Sequence, residues 1–476
     1  NRRWRQMAAG VYSRNASTKS KRLLTAKILY LANKLKDTRL FYPTNTDFRG
    51  RVYNIPSFLG VMGNKLSRGL LHFSRPQRLK SDEDAKWLAV QGANTWGNDK
   101  VTLNERWRWA EEFTRDAHKI AKDPTKELLW TEANDAWGFL AWCFEWSNYK
   151  LAGKIQSYLP VNMDASNNGL QILSMLTRDE LGMAATNVLP TDKPADIYGA
   201  VATVVNSHLK TDAAQGNAIA KAWLDFGVNR NCLKRPVMCY SYGLTPYSNR
   251  AYVVDWYEEQ IHEKKRTKPF DADEQFIATN YLAQVCWKSI ESFLDKPKLC
   301  MDFFQQCARK VAEKNRPLKW VSPSGFPVHQ EYFNVHNQQV NTYISGKATC
   351  VKFKEEDATT VSKRSMQNGA SPNAVHSIDS AMLHLTVCRA NADREYTNGG
   401  IFDFAMIHDS YGTHSNNCDA LSKILRQVFV DNFSKDLLAD WRDQLALQHP
   451  DIDFPDLPDY GSADITLINN STYFFS

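Results

Sequence analysis

Two aspartates, Asp164 and Asp409, stand far apart in the sequence, each where a short apolar strand would end. Asp164 closes Val161-Asn162-Met163-Asp164, and Asp409 follows Ala405-Met406-Ile407-His408. Two carboxylates on neighbouring strands can hold divalent cations and leave room for water and phosphate oxygens, as Mg²⁺ requires. A pair of such ions ~3.5–4 Å apart activates an attacking hydroxyl and steadies a leaving pyrophosphate. Between the two aspartates lie Arg230, Lys234, Met238 and Tyr242-Gly243. At 3.6 residues per turn, a four-residue spacing keeps such side chains on one slowly drifting helix face. Arg offers a triphosphate a planar fork; Lys offers a movable charge and a proton for the pyrophosphate. Met238 and Tyr242 continue the face, so it is not merely a solvated one. A lone Asp is ordinarily a turn or cap residue; the three segments in this order are what point to phosphoryl transfer.

The elements around these residues follow from periodicity and turn chemistry. Residues 17–36 predict a helix with an apolar stripe at Leu23, Leu24, Ile28, Leu31 and Leu35, opening on Lys19, Lys21 and Arg22. Helices are expected over 84–96, 103–122, 126–148, 170–178, 194–210, 214–226 and 372–390, with two more between 273 and 313. A strand is expected over 157–164, strands joined by turns over 319–353, and a hairpin over 401–413 with His408-Asp409 at its turn. Pro236 lacks an N–H and clashes with the carbonyl four residues back, which predicts a helix start or a kink there. His376 falls ahead of a helix and reads as a cap-region residue. In Asp47-Phe48-Arg49-Gly50-Arg51-Val52-Tyr53, the glycine allows close backbone approach while Arg49 and Arg51 can reach phosphates.

A chain of 476 residues with 43% hydrophobic content, 14 Trp, 19 Tyr and 23 Phe is a folded globular protein. Its net charge of +7 favours a polyanionic partner. Nine Cys without a CxxC pair read as free thiols, not as a disulfide frame or zinc site. No apolar run approaches the ~20 residues that cross a bilayer. The chain opens on Asn1 inside a basic helical pattern, as the C-terminal part of something longer would.

Together these segments resemble the single-subunit RNA polymerases of bacteriophages and, more distantly, of mitochondria. Asp164 matches the first catalytic Asp, Arg230 to Gly243 the nucleotide-binding helix, and His408-Asp409-Ser410 the second catalytic motif. Asp47 to Tyr53, Asp196-Ile197-Tyr198-Gly199 and His376-Ser377 match further family segments. The resemblance implies an α+β, mostly helical right-hand fold with the thumb largely missing. Residues 1–37 would be a thumb or N-terminal remnant, 38–180 and 377–476 the palm and tail, and 181–376 the fingers. It implies DNA-templated RNA synthesis with two Mg²⁺ held by Asp164, Asp409 and the carbonyl of Ala165, where the family usually has Gly. Lys234 would be catalytic. Arg230, Lys234, Met238, Tyr242, Gly243, Tyr198, His376 and Lys122 would bind substrate, with Tyr242 selecting the sugar. Arg49, Gly50 and Arg51 would contact the template–RNA hybrid. A hairpin over 331–355 would read promoter bases through Gln339 and Asn341, with Asn337 and Gln338 beside them. Partners would be promoter DNA, nascent RNA and ribonucleoside triphosphates, with no membrane, in the cytoplasm of an infected bacterium sooner than in a mitochondrion. The enzyme would be monomeric or part of a longer chain. Family A DNA polymerases share the Arg–Lys–Tyr-Gly helix. They exclude ribonucleotides with a Glu soon after the first Asp, where this chain has Ser166-Asn167-Asn168-Gly169, and place Phe where it has Met238. An inactive nucleic-acid-binding homologue would not need both aspartates.

Overall fold

The computed structural model describes residues 2–262, 264–271, 274–397 and 399–476. Mostly helical, with small antiparallel sheets, it divides into two compact units. The first takes the residues up to Asp47, Val52–Asp164 and Val387–Ile424; the second takes Phe48–Arg51, Ala165–Thr386 and Leu425–Ser476. Among the described residues no helix is long and apolar enough to cross a membrane.

The first unit opens with a 34-residue helix, Arg2–Leu35. Of its expected stripe only Ile28 is fully buried, against Leu59 and Leu66, with Leu24 and Leu31 packed alongside, whereas Leu23 is exposed. The core of the unit is aromatic. Helices Asp82–Trp96, Leu103–Lys122 and Ala136–Ala152 bring Phe139, Trp142 and Trp146 together with Trp96, Trp109 and Phe113. Each helix starts on a side-chain cap: Ser81, the Thr102–Glu105 capping box, and Asp135. Asp135 also explains why 126–148 is not one helix: a short 3₁₀ turn, Leu128–Glu132, ends before it and the α-helix restarts at Ala136. The buried indoles keep their hydrogen bonds, Trp142 to the Leu88 carbonyl at 2.8 Å and Trp146 to the Thr114 hydroxyl at 3.0 Å.

The three-stranded sheet of this unit runs in the order Ala405–Ile407, Ser410–Thr413, Val161–Asp164, antiparallel throughout. The expected strand over 157–164 is broken: Ile155–Ser157 pairs instead with Gln77–Leu79, and Pro160, which cannot donate to a ladder, separates the pieces. Residues directly opposite one another share a face. One face carries Val161, Met163, Tyr411 and Thr413, all buried. The other carries Asn162, Asp164 and Ser410.

The second unit is built on helices Ile197–Ala214, Ala218–Phe226, Arg230–Tyr240, Pro246–His262, Glu274–Phe293 and Asp295–Glu313. Trp223 is buried at its centre among Phe226, Trp256, Tyr257 and Phe270. Strands Phe333–Ile344 and Lys347–Val361 form one long hairpin, extending past the expected end at 355. Its turn is Ser345-Gly346, both at positive φ (52° and 75°), as a two-residue hairpin turn requires. The helix expected from 372 begins nine residues earlier and runs Lys363–Ala392, through Pro372 and through the 376/377 boundary. The C-terminal Phe474 and Phe475 are buried on Phe429, and the backbone of Phe475 bridges Ala165.

Candidate active site

The carboxylates belong to the first unit. Asp164 ends its strand opposite Ser410, and Asp409 precedes Ser410 in the His408-Asp409 turn. Cross-strand Cα atoms lie roughly 4.5–5.5 Å apart and consecutive ones ~3.8 Å, so the two Asp backbones stand within about 9 Å. Strict strand alternation would aim residues 409 and 410 to opposite faces. The turn releases Asp409 from that rule: His408 takes φ 49°, the left-handed value that primed hairpin turns need. A non-glycine residue in the left-handed region costs of order 1–2 kcal/mol, a strain held at the residue beside Asp409. Tyr53 supports the turn, its ring 4.8 Å from that of His408. Asp164 is exposed and Asp409 half-buried, which fits hard cations that retain water and phosphate oxygens. Ala165 is not among the positive-φ residues, so the alanine there carries no backbone strain. Lys122 is exposed at the last position of its helix, and its substrate contact rests on the resemblance alone.

His414 follows the same sheet. Its ring is fully buried 4.3 Å from Phe73, and neither ring nitrogen has a hydrogen-bond partner among the described residues. Burial holds its pKa down at about 4, against the pull of the Asp403 carboxylate 4.0 Å away, which Arg75 engages at 2.8 Å. The unfolded side chain titrates near 6.5. As pH falls from there towards 4, the unfolded state takes up a proton that the folded ring refuses, so acidification costs stability.

The face expected to bind nucleotide belongs to the second unit. The helix begins at Arg230 on an Asn229 cap, not at Pro236, and continues through that proline. Pro236 leaves the Cys232 carbonyl without its helical donor. Arg230 and Lys234 sit one turn apart, Lys234 and Met238 exposed. The Arg230 fork is held by Asp196, at 2.8 and 3.3 Å, and lies 5.8 Å from the Tyr198 ring. Tyr242 lies just past the helix. Gly243 N–H bonds the Tyr240 carbonyl and Leu244 N–H the Cys239 carbonyl, the pair of bonds that closes a helix on a left-handed glycine. Gly243, at φ 81°, supplies that conformation. Its role is therefore to end the helix and present Tyr242.

Tyr242 packs on His376, ring centroids 4.9 Å apart. His376 is not a cap residue; it lies in the interior of the Lys363–Ala392 helix. Arg49 donates from Nη1 to His376 Nδ1 at 2.7 Å. A guanidinium can only donate, so Nδ1 accepts and the ring proton of a neutral His376 is on Nε2. One turn further along the helix, Asp379 receives Arg51 through two nitrogens in an ion pair whose carboxylate is 1% exposed. Gly50, at φ 92°, makes the turn between the two arginines; a Cβ there would lie 2.9 Å from the Ser380 hydroxyl. The expected hybrid contacts Arg49 and Arg51 thus hold the His376 helix. From the sequence, Asp196 stands out only as part of the family segment Asp196-Ile197-Tyr198-Gly199, with no role of its own, and Asp379 has none. The available signal was spacing: Asp379 is three residues from His376, on one helix face.

On the hairpin, Gln339 is opposite Lys352, Asn337 opposite Lys354 and Asn341 opposite Cys350, so these amides share a face with two lysines. Gln338 is on the other face, opposite Phe353, and donates to Glu355 at 3.1 Å. The four amides expected to act together are therefore divided.

A family model for DNA-dependent RNA polymerase matches residues 79–452. The T7 RNA polymerase of Escherichia phage T7 is 32% identical over 521 residues, covering 99% of this chain and 57% of that enzyme. The DNA-directed RNA polymerase of Enterobacteria phage T3 is 31% identical over 519 residues, with 99% and 57% covered. The mitochondrial DNA-directed RNA polymerase 1 of Nicotiana sylvestris is 30% identical over 489 residues, covering 100% of this chain and 47% of that one. The chain spans about half the length of these curated relatives. By this match and these relatives, the chain belongs to the DNA-dependent RNA polymerase family.

Proposed function

We propose that this chain is the polymerising part of a DNA-directed RNA polymerase, extending an RNA 3′-hydroxyl with ribonucleotides and releasing pyrophosphate. The reading rests above all on Asp164 and Asp409, 245 positions apart in sequence, meeting at the ends of adjacent strands. Asp164, Asp409 and the Ala165 carbonyl would hold two Mg²⁺, which when bound activate the hydroxyl and neutralise charge on the leaving group. Arg230, kept in line by Asp196, would fork onto the triphosphate. Lys234 would neutralise the departing pyrophosphate and give it a proton. Tyr242 would lie against the incoming sugar, with His376 Nε2–H donating to its 2′-hydroxyl. Tyr198 would stand beside the phosphates through Arg230.

In this reading the sheet of the two aspartates is the palm, residues 181–376 are largely fingers, and the first helix is a thumb remnant. Gln339 and Asn341 would read promoter base edges in the major groove, Lys352 and Lys354 taking flanking phosphates. DNA template, nascent RNA and ribonucleoside triphosphates would be the partners. The phage relatives fit action in the cytoplasm of an infected bacterium, as a monomer or as part of a longer chain. The test is extension of a preformed RNA–DNA scaffold. Asp164→Asn and Asp409→Asn should each abolish nucleotide addition with unchanged melting, since each removes a charged ligand worth several kcal/mol to the transition state. Near-normal extension by either variant would remove the basis of the reading.

A further inference from the structure

The helix that presents Arg230 and Lys234 has a second cationic flank. Asn231 and Arg235 follow Arg230 and Lys234 by one residue each, which turns them about 100° around the helix axis. They open onto a cavity of about 160 Å³ lined also by Trp256, Glu259, Gln260 and Lys264. At ~10–15 Å³ for each water-sized occupant, that is room for about 11 to 16 such atoms, enough for a diphosphate.

Its walls are set for an anion. Arg235 and Lys264 bring two positive charges against the single carboxylate of Glu259. Asp255 offsets part of the Arg235 charge, at 3.6 Å, but that pair is largely exposed and correspondingly weak. Asn231 and Gln260 add amide donors. Trp256 is 5% exposed, and its indole nitrogen is buried without a hydrogen-bond partner among the described residues. An indole N–H can only donate, and a buried donor left unpaired costs about 1–3 kcal/mol. An acceptor inside the cavity would recover that cost. We infer that this cavity binds inorganic pyrophosphate, as a holding site one flank away from the face where Lys234 meets the triphosphate. The inference deepens the polymerase reading and rests on it for the source of the pyrophosphate; the binding itself does not.

The probe is inorganic pyrophosphate, titrated calorimetrically into the whole chain without template, nucleotide or divalent metal. Arg235→Gln and Lys264→Gln, both at solvent-facing ends of their side chains, should each weaken binding at least tenfold. Lys234→Ala should leave this binding event in place. In indole ¹⁵N spectra, the signal that Trp256→Phe removes should move on addition of pyrophosphate. The inference is overturned if Arg235→Gln and Lys264→Gln leave the isotherm unchanged, if Lys234→Ala removes all binding, or if the Trp256 signal stays fixed. Failure of scaffold extension with pyrophosphate binding intact would instead count against the polymerase reading alone.

Discussion

Arg49→Ala should relax discrimination between ribo- and deoxynucleotides without touching a nucleotide. Arg49 donates to His376 Nδ1 at 2.7 Å, which puts the ring proton on Nε2, the atom proposed to meet the 2′-hydroxyl. Two effects follow from removing it, of unequal size. If the neutral ring then populated both tautomers equally, half the molecules would still donate, a loss of only about twofold. Orientation matters more. A hydrogen bond with a charged partner is worth about 1.5–3 kcal/mol, and that bond helps hold the ring, alongside the Tyr242 contact. At 1.4 kcal/mol per factor of ten, losing it should lower the ribose preference by about ten- to a hundredfold. Sites that hydrogen-bond a substrate hydroxyl discriminate far more strongly than that, so a residual preference should remain. The assay is competition between ribo- and deoxynucleoside triphosphates on a preformed scaffold, with melting as the control for folding. Arg49→Lys keeps a donor but not the planar fork and should lie between wild type and Ala. If Arg49→Ala keeps the wild-type preference while His376→Ala loses it, the arginine does not position the histidine and this reasoning fails.

Gln339→Ala and Asn341→Ala should shift promoter preference by about 1–3 kcal/mol for each bidentate base pairing removed. Gln338→Ala, on the opposite face of the hairpin, should not; equal effects from all three would mean the hairpin acts through its fold. Residues 1–39 hold eleven Lys and Arg against one Asp, more net charge than the +7 of the whole chain. Neutralising Lys19, Lys21, Arg22 and Lys27 to Gln should therefore flatten the salt dependence of duplex binding, by about 0.9 in log–log slope for each phosphate no longer neutralised. An unchanged slope would place the phosphate-binding cations elsewhere. His414→Phe should stabilise the protein relative to wild type at pH 5 and change little at pH 7.5, because only the wild type pays to keep a buried ring neutral below pH 6.5. Thermal melts of the two proteins at both pH values would refute this if their difference did not change with pH.

Local rules located the elements but mishandled two prolines. Pro236 argues for a helix start or a kink and Pro372 for a helix start, at a cost of ~3 kcal/mol for an interior position. Both lie inside helices. Around Pro236, Cys232, Leu233, Val237 and Tyr240 are all buried; around Pro372, Met366, Ala370, Ala374 and Val375 are. At ~1.5–3 kcal/mol for each large apolar side chain, burial outweighs the broken bond. A single sequence carries the penalty in plain view and the compensation only as an apolar pattern that continues across the proline. Long-range pairing was hidden for a different reason. Arg51 and Asp379 are 328 positions apart, and no periodicity links them.

Gly169 carries the same lesson to sugar selection. From the sequence, glycine at this position leaves space for a 2′-hydroxyl. In the fold that space is filled: a Cβ on Gly169 would lie 2.4 Å from the Ser241 hydroxyl and 3.2 Å from the Tyr242 ring. The missing side chain thus lets the end of the Arg230–Tyr240 helix approach closely. Gly243 closes that helix end and the His376 ring packs on Tyr242, so residues 169, 242, 243 and 376 form one assembly. Any side chain at 169 would have to displace Ser241 and press on the Tyr242 ring. Under the proposed function, selection would then depend on how Tyr242 and His376 are held, and Arg49 and Gly169 would be positioning residues for one tyrosine–histidine pair.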